Sequence, residues 1–353
     1  MLQGQSEQPM KVAKNKSIIR ELLREYYSEA QLRLPDNYML REFAFQPFES
    51  KSYVRHLSFQ SIASLREYLT RQTPRQAYYS AAIYRDPAAE RMEDKGWLGS
   101  ELMFDIDVDH IKGCDNVTIE VKEGKFLNII TDKCINLGKE HLLRLIDVLT
   151  QDFGFSKSEI LMYFTGNRGF HVVVETEKKE WLTLNSKERR ELVDYVKGIG
   201  LDLSRLITRS KRIKPTQPLP VDGGWRGRIA RSGIDLDTIL QDPESVIERT
   251  YIEVDEQVTQ DLSRLVRIPG SINGKSGLMS KILNSESDII DFHVGEHLSP
   301  FRGFAIIRSL IKTPSLNLWG TSLSLSEGQL LKVSLPAAVF LALNGAAEII
   351  RIL

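Results

Sequence analysis

The sequence has little cysteine and no excess of charge of either sign. Only two of its 353 residues are cysteines, Cys114 and Cys134, which excludes a disulfide framework and indicates a reducing compartment. Lysine and arginine together number 47, and so do aspartate and glutamate. Binding to nucleic acid would therefore require basic residues that are clustered in space, because there is no global positive charge.

Targeting segments and long apolar runs are also lacking. The N-terminal residues 1–17 contain no apolar run of the kind found in a signal peptide. The apolar C-terminal residues 336–353 are interrupted by Glu348 and Arg351 and are short for a membrane span, so a buried helix is predicted there. A composition with 42% hydrophobic and 27% charged residues is typical of a soluble globular protein of one or two domains, and we expect a cytoplasmic one.

The acidic stretch at residues 101–110, ELMFDIDVDH, is the most informative part of the chain. Apolar and acidic residues alternate with the period of a β-strand, which places Asp105, Asp107 and Asp109 on one face. Burying such a face in an apolar core would carry a large desolvation cost. Either this face is exposed to solvent, or it binds a cation such as Mg²⁺ or Mn²⁺, for which paired carboxylates are natural ligands.

A second informative stretch consists of two β-prone runs that flank the loop TGNRGFH. Gly166 and Gly169 permit close approach of the backbone, so that N–H groups could face an anion. Thr165, Arg168 and His171 add donors of the kind that bind a triphosphate. The alternative is an ordinary hairpin turn with a half-buried histidine. A phosphate-binding loop of the GxxxxGK[ST] type is not present in this stretch.

Further along, the sequence offers a third carboxylate and more basic groups. Residues 250–255 are predicted to form a strand that ends in Asp255, which could join the other carboxylates. A helix bearing Arg267 is expected next, followed by a basic turn around Lys275. Residues 288–294 are predicted to form a strand.

The region between residues 179 and 249 has helical periodicity and is predicted to be an insertion subdomain in a main α/β domain of residues 1–178 and 250–353. The basic residues that cluster in it are Lys211, Arg212, Lys214, Arg226, Arg228 and Arg231. Such a local surplus suggests contact with a nucleic-acid backbone. A solvated helix face or a surface for a protein partner would explain it equally well.

The two cysteines raise the question of a structural zinc ion. His110 and Asp132 lie near Cys114 and Cys134 in the sequence, but the C-x-x-C spacing is missing. A structural zinc site needs four ligands. Zinc bound by Cys114 and Cys134 therefore stays open beside the alternative of ordinary buried thiols.

Together these stretches resemble the small, catalytic subunit of the archaeal and eukaryotic type of DNA primase. The segments that carry the resemblance are REFAF, VRHLSF, KGWLGSELMFDIDVDH, DFGFS, FTGNRGFHVVV and VTQDLSRLVRIPGSINGKSGL, which span most of the chain and favour the archaeal branch. The resemblance implies an α/β (α+β) catalytic domain with mixed or antiparallel sheets flanked by helices, plus a helical insertion.

The resemblance also implies roles for individual residues. Asp105, Asp107 and Asp255 match the family's catalytic, metal-binding triad, whereas Asp109 lies beyond its D-x-D pair. The positions implied to bind the nucleotide are Thr165, Gly166, Arg168, Gly169, His171, Arg267 and Lys275.

Three departures from the family pattern bear on the site. Thr165 replaces the usual serine and keeps its hydroxyl group. Asn273 stands where a phosphate-contacting histidine is common, and offers an amide donor in place of a cation. The family's zinc-binding knuckle is poorly kept, since only two cysteines are present.

The implied function is that of a DNA primase: template-directed nucleotidyl transfer on single-stranded DNA that makes short RNA primers, or DNA, for replication. Mg²⁺ or Mn²⁺ is the implied cofactor, and nucleoside triphosphates are the substrates. The resemblance also implies a partner, a large subunit with an iron–sulfur domain. The two cysteines of this chain are too few to ligate such a cluster. Replication places the protein in the cytoplasm, or in the nucleus if its source is eukaryotic.

Three other functions remain open from the sequence. A polymerase of the same superfamily that acts in end-joining repair or lesion tolerance would need a primer end. A metal-dependent nuclease would use clustered acids but has little need of a triphosphate loop. A non-catalytic nucleic-acid-binding subunit would not need acids at all three family positions.

Overall fold

A computed structural model of the protein describes residues 4–207 and 216–353, with side chains from residue 14 onward. The α-helices in these ranges are α1 (Gly4–Glu29), α2 (Ile62–Gln72), α3 (Asp132–Asp147), α4 (Lys179–Leu182), α5 (Ser186–Lys197), α6 (Leu203–Ile207), α7 (Gly224–Arg231), α8 (Leu236–Gln241), α9 (Pro243–Thr250), α10 (Glu256–Gln260), α11 (Glu286–Asp291) and α12 (Leu335–Leu343). The β-strands are β1 (Phe43–Gln46), β2 (Val54–Leu57), β3 (Gln76–Ser80), β4 (Ala82–Tyr84), β5 (Trp97–Ser100), β6 (Leu102–Asp107), β7 (Val117–Lys122), β8 (Lys125–Ile129), β9 (Ile160–Phe164), β10 (Gly169–Val174), β11 (Leu265–Arg267), β12 (Lys281–Leu283), β13 (Phe304–Ser309), β14 (Thr313–Leu318), β15 (Thr321–Leu325), β16 (Leu330–Ser334) and β17 (Ala347–Ile352).

The sheet that carries the acidic stretch has the order β12-β9-β10-β6, and its neighbouring strands are antiparallel. All six residues of β10 are buried, as expected for a strand covered on both faces. Its sequence, GFHVVV, suits that position because β-branched and aromatic residues pack well on a pleated surface. The acidic strand β6 therefore lies at one side of a buried hairpin.

Helix α3 covers this sheet. Thr131 caps its N-terminus by accepting a hydrogen bond from the N–H of Cys134. Gly138 allows the close approach, since a Cβ atom there would lie 2.5 Å from Cγ1 of Val108 and 3.0 Å from Cε2 of Phe170. Helix α3 thus packs closely against β10 and against the turn that follows the acidic strand.

A second antiparallel sheet has the order β11-β3-β1-β2, and a third has the order β16-β13-β17. Side chains of both sheets share one large hydrophobic cluster with α1, α2 and α12. The chain thus combines antiparallel sheets with flanking helices, which confirms the predicted α/β (α+β) fold class. In the described ranges, no helix combines the length and the apolarity that crossing a bilayer requires.

Among the described residues from α4 to α9, all regular secondary structure is helical. Trp225, Ile229 and Val246 belong to a small hydrophobic cluster of this region. Val193 and Val196 of α5 instead belong to the cluster of the β6 sheet. Helix α5 therefore connects the helical region to the sheet that carries the acidic residues.

Several sequence-based element predictions are wrong. Arg267 lies on strand β11 rather than on a helix, because the helix that precedes it, α10, ends at Gln260. Residues 288–294 begin within helix α11 rather than a strand, and Ser285 caps this helix through the N–H of Asp288. The predicted C-terminal helix ends at Leu343 and is followed by the strand β17.

Candidate active site

Strand β6 presents Asp105 and Asp107 on one face, partly accessible, while Phe104 and Ile106 are buried on the other. The predicted alternation is confirmed up to Asp107, where the strand ends. Asp109 lies in a single 3₁₀ turn formed by residues 108–110 and not on the strand. The carboxylate pair thus occupies the end of a strand, where the backbone turns away.

Strand β10 brings the glycine-containing loop to this pair. In the β6–β10 register, Gly169 lies opposite Asp107 and His171 lies opposite Asp105. A Cβ atom at position 169 would lie only 2.2 Å from the carbonyl oxygen of Ile106, so only glycine fits at this point of the pairing. The acidic strand and the strand after the hairpin turn, which are far apart in the sequence, therefore form one hydrogen-bonded surface.

Residues 165–168 form the turn of the β9–β10 hairpin, closed by a hydrogen bond of 3.0 Å from the N–H of Thr165 to the carbonyl oxygen of Gly169. Gly166 has a φ of +80°, and a Cβ there would lie 2.9 Å from the carbonyl oxygen of Leu278. The loop is thus a tight hairpin turn that is also buried against the chain after β11. The hairpin turn of the sequence-based interpretation is confirmed, and binding of an anion by the same loop stays a prediction.

Asn273 stabilises this turn through hydrogen bonds. Its Nδ2 donates to the carbonyl oxygen of Thr165 at 3.1 Å, and its Oδ1 accepts from the N–H of Lys275 at 3.0 Å. The hydroxyl of Ser276 donates to the carbonyl oxygen of Gly166. Asn273 therefore joins the two loops through its Nδ2, while its Oδ1 stabilises its own turn.

Arg168 lies between the acidic residues. Its Nη2 donates to Oδ2 of Asp107 at 3.0 Å, and its Nη1 donates to Oδ2 of Asp109 at 2.7 Å. Its pKa is raised: burial works against the charge, but the negative charges of Asp107 and Asp109 outweigh burial. In this structure the guanidinium group therefore bridges two carboxylates and offsets part of their charge, and Asp109 contributes to the site as a partner of Arg168.

His171 belongs to a chain of polar contacts beneath the acidic face. Its Nδ1 lies 2.9 Å from the hydroxyl of Tyr163, which is itself 3.1 Å from the carbonyl oxygen of Arg267. On the other side, Nε2 of His171 lies 3.5 Å from Oδ1 of Asp105, close enough for attraction but long for a hydrogen bond. Tyr163 thus orients the imidazole ring toward Asp105.

The two strand carboxylates have opposite tendencies to bind a proton. Burial works to raise the pKa of Asp105, but the neighbouring charge of His171, with smaller contributions from Arg264 and Arg168, lowers it overall. Burial raises the pKa of Asp107, and the negative charge of Asp105 raises it further. A positive charge near Asp107, in addition to that of Arg168, would therefore be stabilising.

Asp255 lies beside the acidic strand, although not on a strand. Residues 251–255 have no assigned strand structure, so the predicted strand is wrong there. The N–H of Asp255 nevertheless donates to the carbonyl oxygen of Asp105 at 2.9 Å. The side chain of Asp255 caps α10 by accepting from the N–H of Gln257 at 2.9 Å, an arrangement favoured at a helix N-terminus.

The donor set fits a divalent cation. Within the described residues, Asp107, Asp109 and His110 offer ligand atoms that all lie within 4.8 Å of one another. Asp105 and Asp255 do not belong to this group. Oδ1 of Asp105 and Oδ1 of Asp109 are both buried and lack a hydrogen-bond partner in the structure. Unsatisfied buried carboxylate oxygens are costly, and oxygen donors of this type suit Mg²⁺, Mn²⁺ or Ca²⁺.

Basic side chains lie next to the acidic group. Nη2 of Arg267 donates to the hydroxyl of Tyr78 at 2.9 Å, and its Nη1 is buried without an acceptor in the described structure. The pKa of Lys275 is lowered by burial and by the positive charges of Arg168, Arg75 and Arg267. These cations repel one another, so an anion bound among them would be stabilised by several charges at once.

Arg75 is a member of this basic group that the sequence did not reveal. Its Nε donates to the carbonyl oxygen of Gly274 at 3.0 Å, and it contributes to the lowered pKa of Lys275. The residue precedes β3 directly, and only the pairing of β3 with β11 shows that it lies near Arg267. No local motif in the sequence marks this neighbourhood.

The structure joins Cys114 and Cys134 in a disulfide bond. The expectation of free thiols is therefore wrong for this structure, and sulfur atoms that are bonded to each other offer no thiolate to zinc. The disulfide connects the turn after the acidic strand to the first turn of α3. It thus closes the base of the β7–β8 hairpin.

The arginines of the helical region are largely used within the fold. Arg226 pairs with Asp222 at 2.9 Å, Arg231 pairs with Asp147 at 2.8 Å, and Arg228 is buried. A freely solvated basic face at these three positions is therefore wrong. The basic positions 211, 212 and 214 lie outside the described residues.

Comparison with known proteins shows the family to which the chain belongs. A family model described as DNA primase small subunit matches residues 104–285, the span that contains the acidic strand, the hairpin loop and the chain around Lys275. The DNA primase small subunit PriS of Aeropyrum pernix is 40% identical over 92% of this chain and 91% of its own. The corresponding values are 39%, 98% and 95% for PriS of Sulfolobus acidocaldarius, and 36%, 95% and 97% for PriS of Hyperthermus butylicus.

These matches extend over nearly the whole length of each relative and confirm the resemblance seen in the sequence. The chain belongs to the DNA primase small subunit family.

Proposed function

We propose that this protein is the catalytic subunit of a DNA primase, which joins nucleotides on a single-stranded DNA template into short primers. The observation that supports the proposal is the pairing of β6 with β10, which brings Asp105 and Asp107 beside His171 and the turn that contains Arg168. Among the described residues, two buried acceptors and one buried donor lack hydrogen-bond partners there: Oδ1 of Asp105, Oδ1 of Asp109 and Nη1 of Arg267. Nucleotidyl transfer needs this combination of a cation site and a triphosphate site.

Asp105, Asp107 and Asp255 would hold the divalent cations, and Mg²⁺ or Mn²⁺ suits these oxygen donors. Bound there, such ions would activate the attacking 3′-hydroxyl and stabilise the charge that develops on the leaving pyrophosphate. The backbone hydrogen bond between Asp255 and Asp105 supports a shared site. Asp109 and His110 are further oxygen and nitrogen donors close to Asp107.

The triphosphate would be bound by the basic group on the other side of the hairpin turn. Arg267 has an unused, buried Nη1, and Lys275 lies among like charges that an anion would relieve. Arg168 can supply a fork of two N–H groups once it leaves Asp107 or Asp109. His171 would add a donor near Asp105. Thr165, Gly166 and Gly169 form the turn that positions these groups.

Several wider aspects belong to the same proposal. Residues 179–249 would act as a helical insertion in a catalytic domain formed by residues 1–178 and 250–353. The chain would work with a large subunit that carries an iron–sulfur domain, in the cytoplasm of an archaeal cell. The nucleotide set is either ribonucleotides or deoxyribonucleotides, and both sets belong in the assay.

The decisive experiment is synthesis on unprimed single-stranded DNA with each nucleotide set, with and without Mg²⁺ or Mn²⁺. A primase produces short labelled products that start de novo and that disappear in EDTA. Products that form only on a primed end would instead identify a repair polymerase of the same superfamily. Degradation of labelled single strands by the protein with Mn²⁺ and no nucleotide would identify a nuclease. Absence of all three activities would contradict a catalytic role.

A further inference from the structure

A pocket of about 520 Å³ lies between α3, α7 and α9, away from the hairpin turn. Its polar lining consists of Arg144, Asp147, Arg228, Arg231, Ser232 and Arg249. Four guanidinium groups thus surround one cavity in a protein whose formal net charge is zero. Such a cluster of positive charges attracts anions.

Arg228 is the buried member of this group. Its Nη2 donates to the carbonyl oxygen of Val196 at 2.8 Å, and its guanidinium group lies 3.9 Å from the ring centre of Trp225. Its Nε and Nη1 are buried and have no acceptor in the described structure. Burial lowers the pKa of Arg228 to about 10, so this residue keeps its charge at neutral pH while two of its donor groups remain unsatisfied.

The carboxylates nearby leave donor groups of these arginines without a partner in the described structure. Asp147 is bound by Arg231 through Nε at 3.0 Å and Nη2 at 2.8 Å. Glu140 lies on the rim and pairs with Arg144 at 3.2 Å across an exposed contact, which is a weak interaction. Arg249 has no ion pair or hydrogen bond in the part of the chain that is described. Asp152 and Asp235 also act electrostatically on Arg228 and Arg249. The feature that distinguishes this pocket is therefore the pair of unsatisfied, buried donors on Arg228.

We infer that this pocket binds a phosphate group. Guanidinium groups recognise phosphate oxygens in pairs of parallel hydrogen bonds. Arg144 and Arg249 have accessible N–H groups for direct contact. Arg228 contributes its charge from the buried side, where solvent screens it little.

The position of the pocket fits a phosphate that belongs to nucleic acid. Helix α9 carries Arg249 and is followed directly by residues 251–255, which end in Asp255. The same helix is tied to the turn after the acidic strand, because Nζ of Lys112 donates to Glu248 at 2.6 Å. A strand whose backbone phosphate occupied the pocket would therefore be held by elements that also position the acidic residues. A free nucleotide or pyrophosphate offers the same chemistry.

The test compares two double variants that each remove two positive charges. Arg144→Gln with Arg249→Gln removes two accessible cations from the pocket and leaves in place the buried Arg228 and Arg231, which is paired with Asp147. Arg190→Gln with Arg205→Gln is the matched control, since both residues are exposed and lie in the helical region outside the pocket, paired with Asp194 and Asp202. Melting curves of both variants check that the fold is retained.

Binding is measured without metal or nucleotide, and so does not depend on catalysis. Fluorescence anisotropy of labelled single-stranded DNA should show about fivefold weaker binding by the pocket variant than by the control, with a salt dependence reduced by about one to two released counterions. A second measurement follows the melting temperature with added pyrophosphate in an Arg168→Ala background, which weakens binding at the active site.

Together the two measurements distinguish a backbone phosphate of DNA from a small phosphate ligand. Weaker DNA binding by the pocket variant supports a backbone phosphate as the ligand. Unchanged DNA binding together with loss of the pyrophosphate-induced stabilisation supports a small phosphate ligand. If the pocket variant equals the control in both measurements, the inference is wrong.

Discussion

His141 couples the stability of the fold to pH through the segment that carries Asp255. The imidazole ring is buried in α3, and its Nδ1 accepts a hydrogen bond of 2.9 Å from the N–H of Glu253. The ring of Tyr251 packs against it at 5.1 Å. Residues 251–255 are not in a strand, so this contact and the one between Asp255 and Asp105 supplement the burial of Ile252 and Val254 in holding the segment in place.

Burial, together with the positive charges of Arg144 and Arg228, lowers the pKa of His141 from 6.5 to about 4. Between these two values the unfolded chain binds a proton that the folded chain excludes. The free energy of unfolding should therefore decrease as the pH falls from about 6.5 to about 4, by about 1.4 kcal/mol per pH unit and about 3 kcal/mol in total. The contribution is fully present above pH 6.5 and lost below pH 4.

The assay is urea denaturation of wild type and His141→Asn across this pH range. The Asn side chain can accept the same hydrogen bond and does not titrate, so its stability curve should be flatter below about pH 6.5. His293→Asn is the control, because His293 is exposed. If wild type and His141→Asn lose stability in parallel, the protonation of His141 does not control this segment, and the reasoning is refuted.

Other predictions concern the site and the disulfide. Asp107→Asn should lower kcat for primer synthesis by about a hundredfold or more, ~3 kcal/mol, while circular dichroism stays unchanged; near wild-type synthesis would remove Asp107 from the catalytic group. Arg168→Ala should raise the nucleotide KM by about tenfold or more, and Arg168→Lys should restore only part of the loss, because lysine keeps the charge without the fork. The same KM in all three proteins would argue against a nucleotide contact. Cys114→Ser with Cys134→Ser opens a cross-link with a sequence separation of 20, which should cost about 3 kcal/mol of unfolding free energy. Dithiothreitol should lower the stability of wild type to that of this variant and leave the variant unaffected.

Local patterns in the sequence were sufficient to predict β6, β9 and the hairpin turn. Alternation and β-branched residues are properties of a few neighbouring positions, so they can be recognised without tertiary information. The catalytic role of Asp105 and Asp107 remains a prediction, but their common face is confirmed by the structure. The family resemblance added Asp255, which no local pattern connects to the acidic strand.

What the sequence could not show depends on contacts between distant segments. Arg75 joins the basic group only because β3 pairs with β11. From the sequence, Arg226 and Arg231 suggested contact with nucleic acid, a solvated helix face or a surface for a protein partner. In the structure Asp222 and Asp147 pair with them. Residues 251–255 were predicted to be a strand from their composition, whereas the side chain of His141 takes a backbone N–H there that a neighbouring strand would otherwise bind.

The register of β6 and β10 limits how this site can vary. A shift of one residue would place Phe170 or Val172 opposite Asp105 and turn His171 to the opposite face of the sheet. Insertions and deletions inside β10 should therefore abolish activity even where the fold survives. The β7–β8 hairpin is exposed along much of its length and its base is closed by the disulfide. Changes of length among relatives should accumulate in that hairpin, and it is the place where a tag could be inserted without disturbing the spacing between the acids and the phosphate-binding turn.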